Sequence, residues 1–158
     1  MEFTVLIIDD NRLAVEALRK TIPWTELGLR LIGSASNGVD GRKIILEQRP
    51  DIILSDIHMP ELDGLSMMEQ LADELAGSRV IFITAYEKIE YASRAIKLSA
   101  FDFILKPIDD QELCGSLLRA KKSLMRERDE EERSGKLRAV LQRTRLLAAL
   151  TQGYGVTD

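Results

Sequence analysis

Five short apolar runs, each followed by a stretch with helical spacing, constrain the fold more than any other feature of this sequence. The runs are rich in β-branched residues and are mostly apolar rather than alternating, which is typical of parallel strands covered by helices on both faces. We therefore predict an α/β fold with a doubly wound, five-stranded parallel sheet. The predicted strands are residues 3–8, 29–32, 52–54, 80–83 and 101–105.

Helices are expected between these strands, and residues that commonly cap helices or form turns support their positions. Asn11 can cap the first helix, and Asn37 followed by Gly38 precedes the second. Pro60 and the Asp63-Gly64 pair indicate a turn after the third strand. The predicted helices are residues 12–22, 39–48, 65–75 and 89–98, with a fifth that begins at Asp110.

The fifth helical pattern continues beyond the length needed to cover one sheet. We therefore expect one domain over residues 1–122 and an extended helical linker over residues 123–158, the start of an output or dimerisation region. Residues 126–133 of that linker are all charged, which is typical of a solvated helical face.

A continuous coiled coil through the linker is not favoured by its heptad spacing. With Leu117 and Leu124 at one seam position, the next two equivalent positions are Glu131 and Arg138. The register is lost where the charged stretch ends. We predict a linker helix that is broken or slipped near Gly135.

Composition and charge exclude several classes of protein. The chain is 45% apolar and has no run long enough to span a membrane. Its N-terminus lacks the basic start and the cleavage site of a signal peptide, so we expect a cytoplasmic protein. Cys114 is the only cysteine, which excludes an internal disulfide. Residues 1–108 carry 12 Lys and Arg against 17 Asp and Glu, and residues 109–158 carry 10 against 9, so neither part is a nucleic-acid-binding surface by charge.

Polar side chains stand at the ends of four of the predicted strands. Asp9 and Asp10 end the first, Asp56 the third, Thr84 the fourth and Lys106 the fifth. Ligands of parallel α/β sheets bind beyond the carboxyl ends of the strands, so these groups should meet at one rim. Three clustered carboxylates repel one another and require a cation, and oxygen ligands favour Mg²⁺.

These strand ends, with the segment Asp-Ile-His-Met-Pro-Glu-Leu-Asp-Gly at residues 56–64, resemble the receiver domain of bacterial two-component response regulators over residues 3–122. The resemblance implies the flavodoxin-like fold of the CheY type. It implies that Asp56 accepts a phosphoryl group from a sensor histidine kinase. It also implies that Asp10, Asp56 and the backbone carbonyl of His58 bind Mg²⁺ directly, whereas Asp9 acts through a metal-bound water.

The same resemblance assigns roles on the last two strands. Lys106 would pair with a phosphoryl oxygen, with a cis bond to Pro107, and Thr84 would hydrogen-bond another oxygen once phosphate is present. Phe103 stands at the switch position where Tyr is common in the family, and Ser99 stands where Gly is common.

Finer features are similar to receivers of YesN/AraC-type regulators, which carry a helical linker and a pair of helix-turn-helix units absent from this sequence. We therefore expect a transcription regulator that dimerises on phosphorylation and touches DNA only through an output domain outside this chain. The alternative is a stand-alone receiver that acts as a protein-interaction module without DNA output, and residues 123–150 argue against it. The similar segments are residues 23–28, 36–38, 86–92, 95–98 and 106–109.

An enzyme on a similar sheet is disfavoured by the residues after the first strand. An aspartate-nucleophile phosphatase needs two acids spaced two residues apart, whereas Asp9 and Asp10 are adjacent. A flavin carrier needs a phosphate-binding loop, and acids there would repel the phosphate. We expect no catalysis beyond the chain's own phosphorylation and dephosphorylation.

Overall fold

The computed structural model of the chain describes residues 2–155, with side chains as far as Thr151. Strands and helices alternate in the predicted order, so the predicted α/β fold is confirmed. The elements are β1 Phe3–Ile8, α1 Arg12–Thr21, β2 Leu29–Ala35, α2 Gly38–Gln48, β3 Ile52–Asp56, α3 Gly64–Gln70, β4 Arg79–Thr84, α4 Ile89–Lys97, β5 Asp102–Leu105 and α5 Asp110–Gly155.

The five strands form one parallel sheet in the order β2-β1-β3-β4-β5. The chain leaves β1 toward β2 on one side and returns to β3 on the other, so the strand order reverses between β1 and β3. Ligand sites of doubly wound sheets lie at this reversal, at the carboxyl ends of the strands. The fold therefore places the ends of β1 and β3 side by side.

Two apolar cores cover the two faces of the sheet, which explains why the strands are mostly apolar rather than alternating. One core joins alternate residues of the sheet to α1 and to the first four turns of α5, where Leu113, Leu117 and Leu124 are buried. The other joins the opposite face to α2, α3 and α4 through residues such as Leu65 and Phe82. The central strands β1, β3 and β4 are thus buried from both sides, whereas the edge strands β2 and β5 are partly exposed.

Helix α3 is shorter than predicted. It ends at Gln70 rather than residue 75, because the N–H of Leu71 is shared between the carbonyls of Met67 and Met68, which tightens the last turn. The chain continues through hydrogen-bonded turns, Leu75 N to Leu71 O at 3.1 Å and Ser78 N to Leu75 O at 2.9 Å, into β4. Apolar periodicity cannot distinguish such turns from another turn of helix.

The predicted break near Gly135 is wrong, because α5 runs through this residue. One glycine costs a helix only about 1 kcal/mol, and Lys136, Leu137 and Arg138 after it are good helix formers. Lys136 and Glu132 also pair across one turn, with Nζ and Oε1 3.4 Å apart. Two compact units meet in sequence between Leu124 and Met125, and the domain boundary after residue 122 stays a prediction.

Gly135→Ala should stabilise the helix around it by about 0.5–1 kcal/mol, because alanine loses less backbone freedom on folding. A Cβ at this position meets no atom within 4 Å. The measurement is amide hydrogen exchange over residues 131–140, which should slow several-fold. Gly77→Ala, also open to solvent but outside the helix, should leave these amides unchanged. Equal exchange in wild type and Gly135→Ala would contradict a helix that is continuous at this residue.

None of the helices within residues 2–155 has the combination of length and apolar character that a membrane span requires.

Candidate functional site

The carboxyl ends of β1 and β3 bring three carboxylates together. One oxygen each from Asp9, Asp10 and Asp56 lies within 4.8 Å of the others. Asp9 and Asp56 are 6% and 8% exposed, whereas Asp10 is open to solvent. The cluster that the sequence predicts is therefore formed, with two acids held inside the rim and one at its edge.

Local hydrogen bonds orient the two buried carboxylates. The backbone N–H of Asn11 donates to Oδ1 of Asp9 over 2.9 Å, and the N–H of His58 donates to Oδ1 of Asp56 over 3.2 Å. Gly64 has no side chain, which allows the start of α3 to lie close to the end of β3. A Cβ at this position would overlap the carbonyl oxygen of Asp56. Each carboxylate thus keeps its other oxygen, Oδ2, for a different partner.

Lys106 supplies that partner from the end of β5. Its Nζ lies 3.0 Å from Oδ2 of Asp9 and 3.0 Å from Oδ2 of Asp56, and its side chain is 22% exposed. Its own N–H donates to the carbonyl of Thr84 over 2.8 Å, and its bond to Pro107 is cis as expected. One ammonium group therefore bridges the two buried acids.

Burial and charge act in opposite directions on these groups. Burial raises the pKa of Asp56 above its usual value, and the charge of Asp9 adds to this, while the hydrogen bond and charge of Lys106 offset only part of it. Burial alone would lower the pKa of Lys106. Hydrogen bonds and charges from Asp56 and Asp9 reverse this effect and raise the pKa. The ionised Asp56 is thus held at a cost in free energy.

The donor set fits a hard divalent cation. Three carboxylates in mutual reach carry more negative charge than one lysine neutralises, and carboxylate and carbonyl oxygens are the ligands that Mg²⁺ prefers. Within the part of the chain that the structure describes, these three acids are the one group of this kind. The single imidazole, on His58, is turned to other partners.

The two predicted switch residues lie on the neighbouring strands β4 and β5. Thr84 is fully buried at the end of β4, one residue beyond the position paired with Asp56. Its Oγ1 accepts a hydrogen bond from the N–H of Tyr86 over 3.2 Å. Phe103 is half-buried on β5, where it pairs in register with Phe82 and packs against the second core.

Sequence reasoning missed the aromatic neighbours of His58. The imidazole lies 4.3 Å from the ring of Tyr86 between centroids, and its Nε2 is 2.6 Å from the hydroxyl of Tyr91. These contacts tie the loop after β3 to the start of α4. No local pattern indicates them, because the three residues are separated by up to 33 positions.

Asp102 was missed as well. Its Oδ1 accepts the N–H of Phe103 over 2.8 Å, and its Oδ2 accepts the buried hydroxyl of Ser116 over 2.7 Å and a guanidinium N–H of Arg119 over 3.1 Å. One carboxylate therefore joins the backbone at the switch aromatic to α5. The charge of Asp102 in a strand was the available signal, since an acid in a buried sheet needs partners.

The chain is similar to known proteins in sequence. A family model described as the response regulator receiver domain matches residues 5–118. The chain is 29% identical over 147 residues to the transcriptional regulatory protein YesN of Bacillus subtilis, covering 93% of this chain and 40% of that protein. It is 31% identical over 132 residues to the transcriptional regulatory protein HptR of Staphylococcus aureus, covering 84% and 52%. The chain thus spans about half the length of these relatives or less.

Solved structures agree with the sequence relatives. The REC domain of AraT, a response regulator from Geobacillus stearothermophilus, superposes with a TM-score of 0.76 at 34% identity, over 81% of this chain and 99% of that one. A two component transcriptional regulator AraC from Clostridium phytofermentans gives 0.73 at 29% identity, over 80% and 98%.

Proposed function

This chain belongs to the response regulator receiver domain family, as its sequence predicted, and on that premise we propose that it is a phosphorylation switch whose acceptor is Asp56. Receiver domains are signalling modules of two-component systems rather than enzymes in the general sense. The observation that carries the proposal is the placing of Lys106, whose ammonium lies 3.0 Å from the carboxylates of both Asp9 and Asp56.

Phosphoryl transfer demands a positioned acceptor and charge compensation more than covalent help from the protein. A carboxylate oxygen of Asp56 forms the new bond to phosphorus, while the bond from phosphorus to the imidazole nitrogen of a phosphohistidine donor breaks and that nitrogen keeps the electron pair. Lys106 would pair with a phosphoryl oxygen and compensate its negative charge. Water later attacks the phosphorus atom of the acyl phosphate, which releases inorganic phosphate and restores the carboxylate of Asp56.

Mg²⁺ would supply positive charge at the phosphoryl oxygens, held by Asp10, Asp56 and the backbone carbonyl of His58, with Asp9 acting through a bound water. Burial raises the pKa of Asp56 and so makes its ionised form unfavourable. A bound cation would stabilise the ionised form, which supports metal binding at this site. Thr84 would turn its hydroxyl from the N–H of Tyr86 to a phosphoryl oxygen.

Intact-mass measurement after incubation with acetyl phosphate and Mg²⁺ tests the proposal. We expect the mass of one phosphoryl group to be added and then removed by hydroxylamine, which cleaves acyl phosphates. A chain that keeps its unmodified mass under these conditions, while folded by circular dichroism, would rule out the proposed switch.

Mg²⁺ should raise the free energy of unfolding of the wild type, by about 2.7 kcal/mol at a concentration 100 times the dissociation constant. Asp10→Ala should lose most of this response, because it removes one of three clustered carboxylates. Thermal melts with and without Mg²⁺ measure the effect. Asp73→Ala, an exposed acid outside the cluster, is the matched control and should respond like the wild type. An equal shift in all three proteins would place metal binding elsewhere.

We propose that the output is transcription regulation through a DNA-binding domain outside this chain, driven by a sensor histidine kinase in the cytoplasm. The two relatives described above are called transcriptional regulatory proteins, and this chain covers only 40% and 52% of their lengths. Phosphorylation would promote a homodimer. The second candidate, a stand-alone receiver acting by protein interaction, would give no DNA binding by the full-length product.

Thr84→Ala should keep phosphate uptake and lose the phosphorylation-dependent change in assembly. The variant has no hydroxyl to move toward the phosphate, so the space into which Phe103 can turn no longer depends on phosphorylation. Asp102 would couple a rotation of Phe103 to α5, because its carboxylate accepts hydrogen bonds from the N–H of Phe103 and from the hydroxyl of Ser116. Uptake is measured by intact mass and assembly by light scattering on one sample.

Thr21→Ala, which removes an exposed hydroxyl bonded within α1, is the control for this experiment and should behave like the wild type in both measurements. If Thr84→Ala assembles on phosphorylation as fully as the control, signalling does not pass through this hydroxyl, and the role of Asp56 stands.

A further inference from the structure

We propose that a cleft at the opposite end of the sheet from Asp56 binds a small carboxylate with an apolar body of one or two rings. The cleft has a volume of about 630 Å³, within the range of roughly 300–1,000 Å³ typical of small-molecule sites. Its floor is formed by Met68, Val80 and Phe82, which are all buried side chains of the second core. An apolar ligand would therefore contact a preformed, close-packed surface.

The cleft exists because of how α3 ends. The helix stops at Gln70, and the turns that follow it present Ala72 and Ala76 to the cleft, with Ala100 on the far side. Methyl groups are too small to close a gap of this size. The early end of α3 and the alanines together leave a space that neighbouring side chains do not fill.

The mouth of the cleft selects for negative charge. Lys97 and Ser99 line it, and among the described residues neither side chain has a hydrogen bond or an ion pair. Arg79 adds positive charge from β4, where its Nε already donates to Ser123 over 3.0 Å. No Asp or Glu is among the described residues that line the cleft. One open ammonium and one open hydroxyl suit a single carboxylate.

Ser99 is notable for its backbone as well. Its φ of 58° lies in the left-handed region, where a residue with a side chain is uncommon and glycine is favoured. A serine here keeps a hydroxyl at the mouth of the cleft despite that strain. Backbone strain of this kind is found at ligand sites.

The cleft is separate from the proposed phosphorylation site. Arg79 begins β4 and Thr84 ends it, which places the two sites about 16 Å apart along the strand. The proposal for the cleft does not rest on phosphate uptake at Asp56, so the failure of one proposal leaves the other standing. Both sites nevertheless contact the same strand pair, since Phe82 forms part of the floor and pairs with Phe103.

The test is a titration of the full chain with 2-naphthoate and with its uncharged analogue 2-naphthamide, followed by amide chemical shifts. We expect naphthoate to shift the amides of residues 76–80 and 98–101 and to bind more tightly than naphthamide. Lys97→Gln should weaken naphthoate roughly fivefold, as for an exposed ion pair, and leave naphthamide unchanged. Lys122→Gln, an exposed lysine outside the cleft, should alter neither affinity.

A second experiment fills the cleft with a larger side chain. Ala76→Phe, at an exposed position, should abolish binding of both compounds, and Ala72→Leu should weaken both if the first variant misfolds. Ala149→Phe on α5 is the control for added aromatic surface and should bind like the wild type. The proposal is overturned by shifts that map to other residues, by equal affinity for naphthoate and naphthamide, or by wild-type binding in a folded Ala76→Phe or Ala72→Leu variant.

Discussion

Asp56→Asn should take up no phosphoryl group from acetyl phosphate and should nevertheless be more stable than the wild type in metal-free buffer, by about 1 kcal/mol. Uptake is lost because an amide is a far weaker nucleophile than a carboxylate. The free energy of unfolding rises because asparagine keeps the shape of the side chain and removes a buried negative charge. That charge is unfavourable in the folded protein, since burial and Asp9 raise the pKa of Asp56. Lys106 keeps its ion pair with Asp9.

The pH dependence of the same variant follows from the direction of that shift. An acid whose pKa is higher in the folded than in the unfolded protein binds more protons when folded, so stability falls as pH rises between the two values. The wild type should therefore lose stability relative to Asp56→Asn from pH of about 4 upward. Above the folded pKa of Asp56 the difference between the two proteins should stay constant.

Intact mass and chemical denaturation at several pH values measure these two effects. Asp73→Asn, which neutralises an exposed acid away from the site, should label fully and show no such pH-dependent gain. Complete, hydroxylamine-sensitive labelling of Asp56→Asn would sink the assignment of the acceptor. A variant less stable than the wild type at neutral pH would show instead that Lys106 fully compensates the buried charge.

Gly64→Ala should lower the free energy of unfolding by roughly 2–3 kcal/mol, as expected for a group forced into packed surroundings. Gly64 is the first residue of α3, and its N–H donates to the carbonyl of Ile57 over 2.9 Å. A Cβ here would overlap the backbone oxygen of Asp56 and press on the hydroxyl of Ser55. Backbone cannot yield as a flexible side chain can, so the loop after β3 must move.

Denaturant melts measure the loss, and the rate of labelling by acetyl phosphate reports whether Asp56 has moved. Gly77→Ala is the matched control, since a Cβ there meets no atom within 4 Å. It should change stability by less than about 0.5 kcal/mol and label at the wild-type rate. If Gly64→Ala is as stable as Gly77→Ala, the close approach of α3 to β3 does not constrain the site.

Much of the site could be predicted from the sequence because its acids follow directly from strand periodicity. The runs that end in Asp9 and Asp56 mark strand ends without reference to any other part of the chain. The rule for parallel sheets then places those ends at one rim, which the structure confirms for the three carboxylates and Lys106. Two predictions from local patterns were wrong. Gly135 does not break α5, because one glycine costs less than the surrounding helix contributes. The end of α3 at Gln70 has no local sequence signal.

By itself, the sequence determined the order of the elements, the parallel sheet and the identity of the acids at its rim, because each depends on a local pattern of side chains. Only the tertiary structure decided which atoms meet. The shared lysine between Asp9 and Asp56, the hydrogen bond from Tyr91 to His58 and the cleft beyond α3 join residues far apart in the chain. Such contacts depend on distances set by packing of the whole sheet, and no local pattern contains them.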